Sequence, residues 1–140
     1  MADPLITAAF DEASLGTIAR FAGFQAILEA EVGGTMIQIG DMLVPDMQSM
    51  TWSVFANPTG NLADNIRAVT GGPMAVNIEV DVPYSWRMEE GFHGADSLGR
   101  VYDEEGKPYA MPTLEADSDK IAVMMSLAVA EAIAKLGVPL

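Results

Sequence analysis

Residues 57–62, with the sequence NPTGNL, separate two kinds of pattern along this chain. The sequence before them has apolar residues at helical spacing, and the sequence after them contains segments that alternate as strands do. Pro58 has no backbone N–H and a fixed φ, so a helix does not continue through it easily. Gly60 takes a positive φ without a steric penalty. We therefore predict a structural corner here, built by Pro58, Thr59, Gly60 and Leu62.

The sequence before the corner predicts one long helical region. Apolar residues recur at intervals of three and four between positions 18 and 54, which is the spacing of one helix face. Asp11 or Ser14 is expected to cap its start. Each glycine at positions 33–34 costs about 1 kcal/mol relative to alanine, and Pro45 interrupts the hydrogen-bond ladder. The region is therefore expected to be kinked or broken near the two glycines and near Pro45.

The sequence after the corner predicts a small antiparallel sheet. Residues 65–69 predict a short strand, and residues 74–82 alternate between apolar and polar side chains, so one face of that strand is expected to be buried. The glycine pair at 71–72 fits a tight hairpin turn between the two strands. Residues 84–90 are expected to form two helical turns that stop at Gly91.

The remaining residues predict a second hairpin and a C-terminal helix. Residues 92–99 have the composition of a loop. Residues 101–109 are expected to project as an extended hairpin that touches another subunit. Its charged tip, residues 103–107, would place Gly106 in the left-handed conformation. The last helix is expected to start after Pro112 and to run to about Leu136.

The predicted C-terminal helix is apolar on more than one face, which is typical of a helix that is either central to a core or shared with a neighbouring subunit. In a chain this short we favour sharing with a neighbouring subunit. The residues expected at contacts between subunits are Tyr102, Tyr109, Met124, Met125, Val129 and Ile133. The predicted fold class is α+β, with a small antiparallel sheet packed with a long, kinked N-terminal helical region and a C-terminal helix, plus the extended hairpin. Residues 1–140 are expected to form a single domain.

Composition argues against most catalytic chemistry. The chain has no cysteine and a single histidine, His93, so thiol chemistry is excluded and a histidine-based metal site is not expected. The carboxylates at 103–105 would splay into water rather than converge on a cleft, as acid–base catalysis requires. The longest apolar segment, residues 121–130, is shorter than a membrane span, and the first residues do not resemble a signal peptide. We expect no enzyme, no cofactor, no metal and no membrane contact.

The charge balance also limits the partners of this chain. It has 20 acidic and 7 basic residues, for a net charge of −13. A surface this acidic repels the phosphates of nucleic acids and of anionic lipids. It suits a wall past which DNA slides without sticking, although ordinary solubility explains the same charge.

Three motifs occur in order along the chain. Residues 58–62 (PTGNL), followed by Ile66, resemble the Pro…Thr-Gly-x-Leu…Ile signature of the tail-component family of long-tailed bacteriophages, whose members complete the tail at the head–tail joint. Tyr84 with residues 89–91 (EEG) resembles the Tyr…Glu-x-Gly segment of that family. Residues 107–113 (KPYAMPT) are similar to its Arg-Pro-Phe-Leu-Arg-Pro-Ala run. The similarity extends over most of the chain, from about residue 26 to about residue 136.

The resemblance implies a structural virion protein that forms a homo-oligomeric ring, for which we expect six copies. Its neighbours would be the head-side connector or neck proteins and the tail-tube proteins. Double-stranded DNA would pass through the lumen without specific binding. The protein would lie in the neck or tail of the virion after assembly in the host cytoplasm. Asp64, Glu79 and Asp81 are expected to face the channel, because an acidic wall repels DNA over about 8–10 Å at physiological salt.

Two alternatives remain open from the sequence. The first is a tail-terminator or another connector ring subunit, which only its partners would distinguish. The second is an acidic inhibitor that mimics DNA and binds a basic enzyme. Such a protein acts as a monomer or dimer, so its size in solution separates it from a ring subunit.

Overall fold

The computed structural model describes residues 11–55 and 60–137. Its elements in chain order are α1 (Glu12–Val54), α2 (Asn61–Asp64), β1 (Ile66–Gly72), β2 (Ala75–Val80), α3 (Ser85–Glu90), β3 (Gly91–Ala95), β4 (Val101–Glu105) and α4 (Ala110–Leu136). The fold is α+β as predicted, with two long helices and two small antiparallel sheets. Pro58 and Thr59 of the predicted corner lie outside the described residues.

The N-terminal helix α1 is 43 residues long, which corresponds to about 65 Å at 1.5 Å per residue. Asp11 caps it as predicted, because its carboxylate accepts a hydrogen bond from the backbone N–H of Ser14 at 2.7 Å. The helix ends at Val54, and the N–H of Phe55 still donates to the carbonyl of Thr51. The capping signal at Asp11 therefore placed the start of α1 correctly, and the helical spacing placed its end.

The helix α1 is continuous through both sites, so the predicted break is absent, while the alternative of a kink there stays a prediction. A Cβ on Gly33 would lie 2.5 Å from the carbonyl oxygen of Pro73, and a Cβ on Gly40 would lie 2.9 Å from side chains of β1 and β2. These glycines let the β1–β2 hairpin approach the helix, and that packing offsets their low helix propensity. Pro45 has no N–H group to donate to the carbonyl of Asp41, one turn earlier in the helix. Both residues are exposed, so this carbonyl lies on the solvent side of α1.

The first hairpin pairs β1 with β2 in the order Ile66 opposite Val80 and Thr70 opposite Val76. Its turn falls at residues 73–74, after the glycine pair that was predicted to form it. The register shifts between Thr70 and Gly72, so Gly71 forms a bulge and lengthens β1 beyond its predicted end. The predicted alternation in the second strand is largely present, since residues 76, 78 and 80 are half-buried and the residues between them are exposed.

The second hairpin differs from its prediction. Residues 91–95, mostly assigned to a loop, form β3, and the predicted tip at 103–105 belongs to β4, which pairs with β3 along its length. The turn lies at residues 96–100. The Asp96 carboxylate holds this turn, because it accepts the N–H groups of Leu98 and Arg100 at 2.9 Å each. An Asx-type turn of this kind was the signal that the sequence prediction overlooked.

Gly106 is not left-handed, since it is not among the glycines with positive φ in the described residues. A Cβ on Gly106 would lie 2.5 Å from the carbonyl oxygen of Glu89, and a Cβ on Gly91 would lie 2.5 Å from the Gly106 nitrogen. Next to this contact, the N–H of Lys107 donates to the carbonyl of Met88 at 2.7 Å. Glycine is required at position 106 because two backbones touch there.

The C-terminal helix α4 runs antiparallel to α1. Lys135 near its end forms an ion pair with Glu31, and Asp117 near its start faces Asp46. The core lies near the C-terminal end of α1, where buried side chains from five segments of the chain meet. They are Met47, Leu62, Ile66, Val82 and Tyr109.

Candidate functional site

The three sequence motifs meet at one place in the fold. The side-chain amide of Asn61 donates a hydrogen bond to the hydroxyl oxygen of Tyr84 at 2.6 Å. Leu62 and Tyr109 belong to the same buried cluster, and Tyr84 packs against it. Gly60 begins α2 with a φ of 85°, in the region where a residue with a Cβ is strained. The segments that carry the resemblance therefore build a structural junction, which includes Gly60 and Leu62 of the predicted corner.

Glu89 caps helix α4 from outside that helix. Its carboxylate accepts hydrogen bonds from the N–H groups of Tyr109 at 2.8 Å, Ala110 at 3.0 Å and Met111 at 2.9 Å. The first turn of a helix leaves such groups unpaired, and the helix dipole favours a negative charge there. Sequence reasoning missed this role. The available signal was that Tyr109, at the N-cap position, supplies no side-chain cap.

Among the described residues, one buried carboxylate has an oxygen atom without a hydrogen-bond partner. Asp117 is 7% exposed, and its Oδ2 atom is unpaired. Hydrogen bonding to Asp46, burial and repulsion by the Asp46 charge all raise the pKa of Asp117 above its usual value, and Lys120 opposes them. A proton shared between the two carboxyl groups would relieve this conflict. The pair could not be predicted from spacing, because its members lie on different helices.

The described residues hold no group of three or more acidic or histidine side chains that could bind a metal. His93 pairs with Asp103 across β3 and β4, and both side chains are exposed. Acid–base catalysis requires groups that converge on an enclosed cleft. The His93–Asp103 pair lies instead on an open strand surface.

Of the two tyrosines predicted at subunit contacts, Tyr109 needs correction, and the contact at Tyr102 stays a prediction. Tyr109 is 2% exposed, its ring lies 6.2 Å from that of Phe55, and its hydroxyl donates to the carbonyl of Ser85 at 3.3 Å. It is a core residue of its own chain because α4, rather than a projecting hairpin, starts at this point, so the prediction for Tyr109 is wrong. Tyr102 is half-buried, with its ring centroid 5.8 Å from that of Phe92.

The other predicted contact residues lie on α4 and remain at least partly accessible: Met124, Met125, Val129 and Ile133. A more exposed apolar row runs beside them through Val123, Leu127, Ala130 and Ala134. These four residues, the α4 stripe, follow the spacing i, i+4, i+7 and i+11, which is one helix face. Leu127 is 65% exposed. A shallow depression of about 430 Å³ lies at the Val123 end of the stripe.

Residues 12–30 of α1, here called the arm, extend past the end of α4. The ion pair between Lys135 and Glu31 places the last turn of α4 at the base of the arm. The first buried residue of α1 is Val32, and no described side chain of the arm is buried. The arm is about 28 Å long at 1.5 Å per residue.

The arm carries its own apolar row at Phe21, Phe24 and Leu28, the arm stripe. Phe21 is 56% exposed, and Phe24 and Leu28 are half-buried. The row lies on the same helix face as Val32 and Ile39, which are buried further along α1. Sequence periodicity identified this face, but it could not show where α4 would stop covering it.

The two long helices present apolar surface that this chain does not cover by itself. On α1, Phe21 is 56% exposed, and on α4, Val123 and Leu127 are 59% and 65% exposed. Large apolar side chains left this open on one helix face indicate a surface that binds a partner.

The three acidic residues predicted to face a channel lie near one end of the first hairpin, and all are exposed. The N–H of Asp81 donates to the carbonyl of Asn65 at 3.1 Å, directly after Asp64. Glu79 pairs with Arg67 on the opposite strand at 3.2 Å, so its charge is partly balanced. That these residues face a channel stays a prediction.

A search of the described helices for an apolar stretch of membrane-spanning length finds none. The motif segments, the arm and the α4 stripe are the features on which a functional inference can rest. They have to be interpreted from this chain alone, since comparisons with protein-family models, with curated proteins and with solved structures found no match.

Proposed function

We propose that this chain is a non-enzymatic structural subunit of the neck of a long-tailed bacteriophage, where it completes the tail and forms a ring through which the genome passes. The ordered set of three motifs in the sequence supports this assignment. The proposed neighbours are the head-side connector and the tail-tube proteins. Six copies is the ring size that we expect.

The observation that carries the proposal is the uncovered apolar surface of the two long helices. A standard protein contact removes about 800 Å² from each partner, and burying apolar surface contributes about 25 cal/mol per Å². A ring subunit makes one contact on each side, so it needs two different surfaces. The arm stripe and the α4 stripe are two such surfaces at separate places on the molecule.

The acidic surface supports the same proposal, because DNA has to pass through the ring without binding to it. A lumen lined with Lys and Arg would hold the phosphate backbone, and its affinity would grow with each contact. An acidic subunit, with a net charge of −13, repels the phosphates and does not build up such an affinity. Asp64, Glu79 and Asp81 are the proposed channel residues.

Sizing and imaging of the purified chain test the ring. Light scattering should give a single assembled mass that is a multiple of 14.9 kDa, and electron microscopy should show closed rings. In phage particles, the chain should occupy the neck. A chain that is monomeric or dimeric, absent from particles, and inhibitory toward a basic DNA-binding enzyme would refute the proposal in favour of a DNA mimic.

Charge reversal tests the channel. Changing Asp64, Glu79 and Asp81 together to Lys should leave ring formation intact and slow genome ejection, more strongly at low salt, because the new cations attract DNA. A matched control reverses three exposed acidic residues elsewhere: Glu90, Glu104 and Glu115. Equal ejection kinetics for the two assembled triple variants would show that the first three residues do not line the channel.

A further inference from the structure

We infer that the arm of one copy docks on the α4 stripe of the next copy in the ring. This inference rests on the proposed function, because it names the contact through which that ring would close. The occupant of both surfaces is a second copy of this chain. Three independent features of the two stripes support the pairing.

The first feature is continuity with a contact inside the chain. The face of α1 that holds the arm stripe also holds Val32 and Ile39, which are buried. Along that part of α1 the chain's own α4 packs beside the helix, from the Glu31–Lys135 pair to the approach of Asp46 and Asp117. The arm stripe therefore continues the face of α1 against which α4 packs within the same chain.

The second feature is the match in spacing and size. Phe21, Phe24 and Leu28 are separated by three and four residues, and Leu127, Ala130 and Ala134 have the same separations. The arm contributes mostly large side chains, and α4 contributes two of the smallest. Helices pack when the ridges of one fill the grooves of the other. None of the side chains in either stripe is charged, so the stripes themselves carry no ion that docking would have to desolvate.

The third feature is the arrangement of the exposed apolar side chains. Phe21 on the arm is 56% exposed, and Val123 and Leu127 on the α4 stripe are 59% and 65% exposed. The arm and the α4 stripe are different surfaces, so their contact is heterologous. Heterologous contacts form rings when the rotation between copies closes.

Charge substitution on each stripe tests the docking. Phe21→Glu and Leu127→Glu should each remove the assembled species and leave a folded monomer, since both side chains are more than half exposed. Leu98→Glu is the matched control, because Leu98 is 75% exposed in the turn between β3 and β4. It should assemble like the wild type. An equimolar mixture of the two stripe variants should give dimers and nothing larger, because only one of the two possible contacts is intact.

Cysteine cross-linking gives a second readout that does not depend on disrupting the contact. The chain has no cysteine, so Phe21→Cys combined with Ala130→Cys should form a ladder of disulfide-linked oligomers under mild oxidation. Leu98→Cys combined with Ala130→Cys should not form one. Normal assembly of both glutamate variants, or equal cross-linking of the two cysteine pairs, would overturn the docking and leave the ring in place. A wild-type chain that never assembles would overturn both.

Discussion

Removing the Glu89 carboxylate should destabilise the fold, because it leaves the start of α4 without its cap. One side chain on α3 accepts hydrogen bonds from three backbone N–H groups at the start of α4, at 2.8, 3.0 and 2.9 Å. Loss of an ordinary N-cap costs about 1 kcal/mol, and hydrogen bonds to a charged group are stronger than neutral ones. Water can replace part of what is lost. Glu89→Ala should therefore lower the free energy of unfolding by about 2 kcal/mol.

Urea unfolding followed by far-UV circular dichroism measures this loss, and a loss of that size corresponds to a drop of about 8 °C in Tm. Glu89→Gln keeps the shape and loses the charge, so it should cost about 1 kcal/mol. Glu90→Ala is the matched control, because Glu90 is the exposed neighbour; it should stay within about 0.5 kcal/mol of the wild type. If Glu89→Ala also stays within that range at an unchanged urea dependence, the capping argument is refuted.

Three further predictions concern groups described above. Asp117→Asn should stabilise the chain at pH 7 by about 1 kcal/mol, because the amide can donate a hydrogen bond to Asp46. The pKa of Asp117 is raised on folding, so this advantage should shrink as the pH falls and the wild-type carboxylate takes up its proton. Burial and the charge of Glu89 raise the pKa of Tyr109 to about 12. The unfolded tyrosine therefore loses its proton first, and the free energy of unfolding of the wild type should fall between about pH 10 and 12. Denaturant titrations of Tyr109→Phe should lack that fall. Gly60→Ala should destabilise the fold by about 1 kcal/mol or more, because Gly60 has a φ of 85° that a residue with a Cβ adopts only with strain. A melting curve equal to that of the wild type would contradict the structural role of the predicted corner.

The parts of the fold that follow from local pattern were predictable. The apolar spacing of α1 and α4 and the cap at Asp11 depend on residues a few positions apart. The first hairpin was recognised because Val76, Ile78 and Val80 alternate with polar residues. Its exact turn was not, because a bulge at Gly71 moved the turn by two residues.

The parts that depend on distant partners were not predictable. The segment Gly91–Ala95 has weak strand propensity, and it is a strand because β4 pairs with it. Tyr109 was assigned to an exposed hairpin because nothing local shows that its ring enters the core beside Phe55. For the candidate site, sequence periodicity found the apolar face of the arm, but the uncovered length of that face depends on where Lys135 meets Glu31.

The pairing of α1 with α4 also sets a timetable for folding during synthesis. Glu31 and Lys135 are 104 positions apart, so at 5–20 residues per second a ribosome needs roughly 5–20 s to make the second after the first. Bringing two residues so distant in the chain into contact also carries an entropic free-energy cost of loop closure of about 4 kcal/mol. For that interval the face of α1 that ends up under α4 has no helix to cover it. A newly made α1 is therefore open to association with other nascent chains on the same messenger before its own α4 exists.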